Sequence, residues 1–192
     1  MSVGAACSGN GEPAAGPAAS PDPARLLPIR MVVMDVDGVL TDGAIVVHAD
    51  GSESKVFNVK DGSGIKYLMR SGLKTAILSG RTSPPVERRA EDLGLDYCVT
   101  GALDKLPAYR KLLEDAGLTD REVCYIGDDL PDIPPMRYAG FPVAVADAAP
   151  ETKSWAAYVT AAPGGRGAVR EVAELLLKAQ GKWDALMQRY VG

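Results

Sequence analysis

The stretch that decides the fold reads IRMVVMDVDGVLTDG and covers residues 29–43. It contains a short apolar run at residues 31–34, and two aspartates, Asp35 and Asp37, follow at once. A run of this length without polar alternation is typical of a strand that is covered on both faces of a parallel sheet. Because such strands place their chemistry where the loops begin, we expect the two carboxylates to line a crevice there.

The two carboxylates need a counter-charge. Uncompensated carboxylates ~4 Å apart cost on the order of 4 kcal/mol per pair at moderate effective dielectric. A divalent metal and a phosphate group at the same crevice would account for the pair. Taken alone, Asp-x-Asp-Gly is also common in ordinary turns. It resembles the start of an EF-hand loop, but a strand precedes it and the closing Glu is not in place.

Composition limits the possible classes of protein. A length of 192 residues is that of one ordinary domain. Because the net charge is −4, the composition does not indicate a general nucleic-acid surface. No run approaches the ~20 apolar residues of a membrane helix. Cys7, Cys98 and Cys124 lack metal-ligand spacing. Cys98 and Cys124 lie in apolar runs, so we expect them to be buried, and a reducing, cytoplasmic location fits.

Three regions are expected along the chain. Residues 1–28 are rich in Ala, Gly, Pro and Ser and cannot bury enough surface to fold, so they predict a disordered tail. The tail lacks the basic start and continuous apolar stretch of a secretory signal. A folded domain is expected at residues 29–180, and a C-terminal tail at residues 181–192.

From residue 29 onward, strand-like and helix-like segments alternate. This order predicts an α/β three-layer, Rossmann-like fold in which helices cover both faces of a parallel sheet. The predicted strands are residues 31–34, 74–78, 97–99, 123–126 and 142–145. The predicted helices are residues 64–71, 85–93, 103–116, 132–138 and 168–179. Right-handed crossovers would align the strand ends on one edge of the sheet.

One segment breaks the alternation. Residues 44–58 read as two short strands around an Asp50-Gly51 turn, a hairpin inserted directly after the two aspartates. The insertion is too small to be a cap domain. Its large apolar side chains are those of Ile45, Val46, Val47 and Phe57. We expect this apolar surface to pack against another subunit.

Four polar clusters follow predicted strands or open a helix. They are Asp35-Val36-Asp37-Gly38, Ser79-Gly80-Arg81, Lys105, and Gly127-Asp128-Asp129 with Asp132. Each cluster has a simple explanation when taken alone. Asp-x-Asp-Gly can be a turn, Ser-Gly-Arg is a weak signal, a lysine near a helix start is usually solvated, and Gly-Asp-Asp can cap a helix. A parallel sheet would bring all four to one edge, where they supply carboxylates for a metal, a hydroxyl and amides for phosphate, and an ammonium group. Their joint order therefore favours a functional site.

The order of these motifs resembles the haloacid dehalogenase-like (HAD) phosphatase superfamily from about Ile29 to the C-terminus. More narrowly, the chain resembles the capless 3-deoxy-D-manno-octulosonate 8-phosphate (Kdo 8-phosphate) phosphatase family. The stretches that carry the resemblance are DVDGVLTDG, FNVKDGSGIK, SGR, GDDLPD, VAVADA and GGRGAVREVAELLLKAQGKWD. SGR favours the Kdo members over sialic-acid-type relatives. The proline-rich GDDLPDIPPM and the N-terminal tail depart from the family pattern.

The resemblance implies roles for the aspartates. Asp35 would be the nucleophile that forms an aspartyl-phosphate, and Asp37 the general acid and then the general base. Mg²⁺ would be held by the Asp35 carboxylate, the Asp37 backbone carbonyl and Asp128, an oxygen-only set that suits this ion. Asp129 and Asp132 would orient the metal shell or Lys105.

The resemblance also implies the contacts with substrate. Ser79 and the Gly80 amide would hold phosphate oxygens, while Lys105 neutralises charge on Asp35 and the phosphoryl group. Arg81 is suited to bind a carboxylate through two parallel hydrogen bonds. The other residues that match substrate-binding positions of the family are Asn58, Val59, Lys60, Asp61, Gly62, Lys66 and Arg89. For Lys66 and Arg89, a solvated helix face is the alternative.

The resemblance further implies a homotetramer in which neighbouring subunits cover the capless site. The C-terminal KWDALMQRYVG would then reach a neighbour, although a helix packed on its own subunit is the alternative. The apolar side chains available for either contact are Trp183, Leu186, Met187 and Tyr190.

The function implied is Mg²⁺-dependent hydrolysis of Kdo 8-phosphate, a phosphoric monoester, in lipopolysaccharide synthesis. A close alternative is a phosphatase of nine-carbon sugar acid 9-phosphates. Two alternatives of another class are a receiver-like phospho-aspartate module and an idle interaction domain. Asp37 and the hairpin argue against the receiver-like module. A receiver needs a long-lived phospho-aspartate, and an adjacent acid and base would promote its hydrolysis.

Overall fold

The computed structural model describes residues 21–191 of the chain. Six parallel strands form one sheet, and a two-stranded antiparallel hairpin stands beside it. The strands are β1 Met31–Met34, β2 Val46–Val47, β3 Glu53–Ser54, β4 Lys74–Leu78, β5 Tyr97–Val99, β6 Val123–Gly127, β7 Phe141–Ala144 and β8 Tyr158–Val159. Their order across the large sheet is β5-β4-β1-β6-β7-β8. This architecture confirms the predicted α/β three-layer fold.

Helices cover both faces of the sheet. They are α1 Pro23–Leu26, α2 Val59–Arg70, α3 Pro84–Leu93, α4 Lys105–Ala116, α5 Ile133–Met136, α6 Pro150–Lys153, α7 Ala168–Ala179 and α8 Trp183–Val191. Two 3₁₀ turns, Asp120–Glu122 and Leu130–Asp132, precede β6 and α5. Helices α2 and α7 pack against each other on one face, and α4 and α5 on the other. Within residues 21–191, no helix combines the length and apolar character that crossing a bilayer requires.

The core lies on the central strands. Strand β1 pairs with β4 on one side and β6 on the other, with Met31 in register with Lys74 and Val123. All four residues of β1 are buried, as the unbroken apolar run predicted. Because β1, β4 and β6 run parallel and adjacent, their carboxyl ends meet at one edge of the sheet.

Helix ends differ from the predictions where a side chain caps the backbone. Helix α2 begins at Val59 rather than residue 64, because the Asn58 side chain accepts from the Lys60 amide at 2.8 Å. Helix α4 begins at Lys105 rather than residue 103, because Asp104 accepts from the Leu106 amide in the same way. Helix α5 ends at Met136, short of the predicted residue 138. The short elements α1, α6 and β8 were not predicted.

The chain termini and one cysteine also differ from expectation. Of the predicted disordered tail, residues 1–20 lie outside the described residues, whereas α1 is a helical turn with Leu26 buried against the core. The ordered domain therefore begins before residue 29. Cys98 is exposed, so the prediction that it is buried was wrong: β5 is an edge strand, and alternation turns Cys98 outward. Cys124 is buried as predicted.

The C-terminal residues form α8, which packs on its own chain. The rings of Trp183 and Tyr190 meet the ring of Tyr67 edge-on, with centroids 6.4 and 6.0 Å away. Leu186 is buried against the core. This packing matches the alternative prediction, a C-terminal helix that packs on its own subunit.

Candidate active site

A pocket of about 450 Å³ opens at the edge where β1, β4 and β6 end. All four polar clusters singled out in the sequence line it. The pocket residues from these clusters are Asp35, Asp37, Ser79, Gly80, Arg81, Lys105, Asp128, Asp129 and Asp132. The parallel sheet thus brings together residues that are far apart in the sequence, and it places them where α/β folds bind their ligands.

Lys105 is the centre of a buried ion cluster. Its ammonium nitrogen lies 2.9 Å from Asp35 Oδ1 and 2.6 Å from Asp132 Oδ1, and its side chain is only 4% exposed. Asp132 is fully buried and also accepts from the Tyr125 hydroxyl at 2.8 Å and the Asp128 amide at 2.9 Å. Asp132 therefore fixes both the lysine and the loop that carries Asp128.

The carboxyl groups at the base of the pocket resist ionisation. Burial, with a further contribution from Asp132, raises the pKa of Asp35 to about 6, although Lys105 opposes the shift. Burial and the charges of Asp35 and Asp132 raise the pKa of Asp128 to about 8. A cation bound between Asp35 and Asp128 would relieve this repulsion and favour the ionised forms.

The donor atoms fit a hard metal ion. Asp35, Asp128 and Asp132 each offer a carboxylate oxygen, and these oxygens lie within 4.8 Å of one another. Among the described residues, Asp128 Oδ1 is buried and has no hydrogen-bond partner. Since Lys105, Tyr125 and a backbone amide already engage Asp132, Asp35 and Asp128 are the carboxylates best placed to bind the ion. An oxygen-only set of this kind suits Mg²⁺.

Two glycine segments shape the loop that carries the nucleophile candidate. Gly38 adopts φ 87°, and a Cβ at this position would overlap the Asp128 carboxylate. A Cβ on Gly164 would overlap the Gly38 carbonyl, and the Gly165 amide donates to the Val39 carbonyl at 2.8 Å. The GGRG stretch therefore supports the loop by direct backbone contact, which only glycine allows.

The hairpin adds two residues that the sequence analysis missed. The fully buried Lys55 ammonium makes an ion pair with Asp37 Oδ1, and Arg81 Nε lies 3.7 Å from Asp37 Oδ2. Glu53 Oε2 accepts from Arg81 Nη2 at 3.0 Å, and Glu53 Oε1 accepts from the Ser83 hydroxyl. The spacing of Glu53 and Lys55, two residues apart on one arm, was the available signal, because alternate residues share one side of a strand.

Two predicted substrate residues hold the fold together instead of lining the pocket. Asp61 is 1% exposed and accepts from the backbone amides of Gly167 and Arg170 at 3.0 and 2.9 Å, which caps the start of α7. Asn58 caps α2 and donates to the Gly165 carbonyl at 3.2 Å. Both side chains join α2 to the segment that leads into α7.

The remaining residues that match the substrate-binding positions of the family lie on a different surface of the chain. Val59, Gly62, Lys66 and Arg89 line a separate open cleft of about 360 Å³. The Lys66 ammonium donates to the Leu93 carbonyl, and the Arg89 guanidinium lies 5.7 Å from the centroid of the Phe57 ring. Lys60 is exposed at the start of α2. A single chain therefore does not bring these residues to the pocket that contains Asp35.

Comparison with known proteins gives a consistent result. Residues 58–140 match the haloacid dehalogenase-like hydrolase family. The chain is 47% identical over 169 residues to the 3-deoxy-D-manno-octulosonate 8-phosphate phosphatase of Escherichia coli, covering 88% of this chain and 90% of that protein. It is 49% identical over 156 residues to the Salmonella typhi phosphatase of the same name, covering 81% and 83%.

Solved structures of phosphatases are also similar to this chain. The Moraxella catarrhalis phosphatase of that name, in complex with a magnesium ion, a phosphate ion and a KDO molecule, is 42% identical, with a TM-score of 0.85 over 88% of this chain and 97% of that one. A probable phosphatase of the YrbI family from Pseudomonas syringae is 48% identical, with a TM-score of 0.86 and the same coverage. The chain therefore belongs to the 3-deoxy-D-manno-octulosonate 8-phosphate phosphatase family of haloacid dehalogenase-like hydrolases.

Proposed function

We propose that the chain is a Mg²⁺-dependent phosphatase that hydrolyses Kdo 8-phosphate to Kdo and phosphate through an aspartyl-phosphate. One observation carries the catalytic part. Asp35 lies at the base of the pocket, 2.9 Å from the Lys105 ammonium and beside a carboxylate oxygen of Asp128 that has no partner among the described residues. The choice of substrate is supported by relatives that share nearly half of their residues with this chain.

Asp35 would attack the phosphorus atom with a carboxylate oxygen. The bond between phosphorus and the sugar oxygen breaks, and Lys105 offsets the negative charge on Asp35 and the phosphoryl group. The carboxylates of Asp35 and Asp128 and the Asp37 backbone carbonyl would hold Mg²⁺, and the ion would supply further charge neutralisation. Asp132 does not touch the phosphate in this scheme but holds Lys105 in place.

Asp37 would handle the protons of both steps. It gives a proton to the departing sugar oxygen, and it then removes one from the water that hydrolyses the aspartyl-phosphate. Lys55 and Arg81 contact the two carboxylate oxygens of Asp37 and fix its orientation. General acid–base assistance of this kind contributes ~10²–10⁴-fold to the rate.

Ser79 and Gly80 would hold the phosphate oxygens. Ser79 is 3% exposed and lines the pocket, and its hydroxyl oxygen accepts from the Arg81 amide at 3.3 Å. Among the described residues, the Gly80 amide donates no hydrogen bond and is therefore available to an anion. Preorganised donors of this kind stabilise the charge that develops on transferring phosphoryl groups.

The test is phosphate release from a panel of substrates with Mg²⁺ and with a chelator. Kdo 8-phosphate should give the highest kcat/KM, above a nine-carbon sugar acid 9-phosphate and a simple phosphate monoester, and the chelator should abolish release. A clear preference for the nine-carbon acid would change the substrate. Stable phosphate on Asp35 without turnover, detected as added mass, would favour the receiver-like alternative.

We further propose that the active enzyme is a cytoplasmic homotetramer. Exposed valines surround the hairpin and the start of α2, with Val47 72%, Val56 76% and Val59 78% accessible in the single chain. Val59 also lines the cleft that contains Lys66 and Arg89. Packing this surface on a neighbour would bury the valines and allow these basic residues to reach the neighbour's substrate. Within residues 21–191, Cys98 and Cys124 form no disulfide, which suits a reducing compartment.

Val47→Glu should dissociate the assembly. Because an unpaired charge is costly to bury, we expect smaller species in analytical ultracentrifugation and a loss of at least about tenfold in kcat/KM. Leu27→Glu is the matched control, since Leu27 is 60% exposed and lies before β1, at the opposite edge of the sheet from the pocket. A fully active monomeric wild type, or a Val47→Glu variant that keeps the wild-type assembly, would contradict the proposal.

A further inference from the structure

The hairpin places a carboxylate of the chain itself on Arg81. Glu53 Oε2 accepts from Arg81 Nη2 at 3.0 Å while Glu53 Oε1 accepts from the Ser83 hydroxyl. The side chain of Glu53 is 15% exposed and that of Arg81 is 53% exposed. Glu53 is therefore the more buried partner of a half-exposed guanidinium that lines the pocket.

Arg81 already has a close carboxylate partner before any substrate arrives. Glu53 is the nearer of its two acidic neighbours, at 3.0 Å against 3.7 Å for Asp37. Lys55 is fully buried against Asp37, so it has no exposed donor to offer an incoming anion. A sugar acid that brings its carboxylate to Arg81 would meet the Glu53 carboxylate on the same guanidinium. Favourable binding of the substrate carboxylate there requires that Glu53 give up its hydrogen bond from Arg81.

We propose that Glu53 is a specificity residue that competes with the substrate carboxylate for Arg81. This inference rests on the proposed function, because it takes the substrate to be a sugar acid phosphate. When the acid binds, its carboxylate replaces Glu53 on Arg81, and Glu53 keeps its hydrogen bond from Ser83. One carboxylate is exchanged for another, so neither state leaves the guanidinium unpaired.

This competition has a use after the chemistry. Hydrolysis removes the phosphate but leaves the carboxylate, so the sugar acid product keeps its contact with Arg81. When the Glu53 carboxylate returns to Arg81, it displaces the carboxylate of the product and assists release of the product. Glu53 thereby raises both the KM for the acid substrate and the inhibition constant of the acid product.

The test is Glu53→Gln, assayed with two substrates. Glutamine can still accept from Ser83, but it carries no charge to compete for Arg81. The KM for Kdo 8-phosphate should fall roughly three- to tenfold relative to the KM for p-nitrophenyl phosphate, which has no carboxylate, as expected for loss of a partly exposed ion pair. The inhibition constant of Kdo should fall by a similar factor, and thermal unfolding should verify the fold.

Two further variants make the result specific. In an Arg81→Ala background, Glu53→Gln should change the KM for Kdo 8-phosphate by less than twofold, because the contested guanidinium is gone. Glu87→Gln is the matched control, since Glu87 also accepts from a hydroxyl, that of Thr100 at 3.1 Å, outside the pocket. An unchanged or raised KM for the acid, or an equal shift for both substrates, overturns the inference. A wild type that releases phosphate from neither substrate refutes the proposed function instead.

Discussion

Asp35→Asn is expected to abolish phosphate release from Kdo 8-phosphate, with a loss of roughly 10⁴-fold or more in kcat. The amide has nearly the shape of the carboxylate but is a far poorer nucleophile, so no aspartyl-phosphate can form. The measurement is phosphate release under saturating substrate and Mg²⁺. Mass spectrometry after acid quench should detect phosphate on the wild type and none on the variant.

The loss should not come from unfolding. Burial raises the pKa of Asp35 to about 6, so folding disfavours its carboxylate form relative to the unfolded chain. A neutral side chain should therefore leave the free energy of unfolding at pH 7 equal or greater. Asp50→Asn, in the exposed turn of the hairpin, is the control and should keep full activity. More than about one percent residual turnover by Asp35→Asn would refute the nucleophile assignment.

Asp132→Ala is expected to lower the free energy of unfolding by about 3–5 kcal/mol. The change leaves the Lys105 ammonium buried with only Asp35 as partner, and it also removes the acceptor for the Tyr125 hydroxyl and the Asp128 amide. Urea unfolding at pH 7 would measure the loss. Activity should fall as well, because Lys105 and the Asp128 loop are no longer held in place.

Two comparisons distinguish the buried cluster from ordinary ion pairing. Asp115→Ala removes an exposed partner of Lys111 on α4 and should change the free energy of unfolding by less than about 0.5 kcal/mol. The double variant Asp132→Ala with Lys105→Met should be less destabilised than Asp132→Ala alone, because no buried ammonium remains without its partner. A loss below about 1 kcal/mol for Asp132→Ala would show that the cluster contributes little to stability.

Most of the sheet could be predicted from the sequence because its central strands β1, β4, β6 and β7 are buried on both faces. Strands β1, β4 and β5 have the predicted bounds, and β6 differs by one residue. The start of α2 could not be predicted, because Val59 continues what reads as the second arm of the hairpin. Only the Asn58 cap, which depends on the folded backbone, ends the extended segment there.

The candidate site was predictable to the extent that the sheet arranges it. Loops after adjacent parallel strands must meet, so Asp35, Ser79 and Asp128 could be placed together from their positions alone. The contacts of Glu53 and Lys55 could not be, because they depend on how the hairpin folds back over the strand ends. Asp61 matched a substrate motif, yet its partners lie more than a hundred residues away and make it a helix cap.

The backbone contact between Gly164 and Gly38 has a consequence for the newly made chain. A polypeptide leaves the ribosome amino end first, so Asp35 emerges long before the GGRG stretch that supports its loop. Until Gly164 and Gly165 have been synthesised, that loop lacks the backing that gives it its final shape. A nascent or prematurely terminated chain would therefore carry both signature aspartates and still be inert.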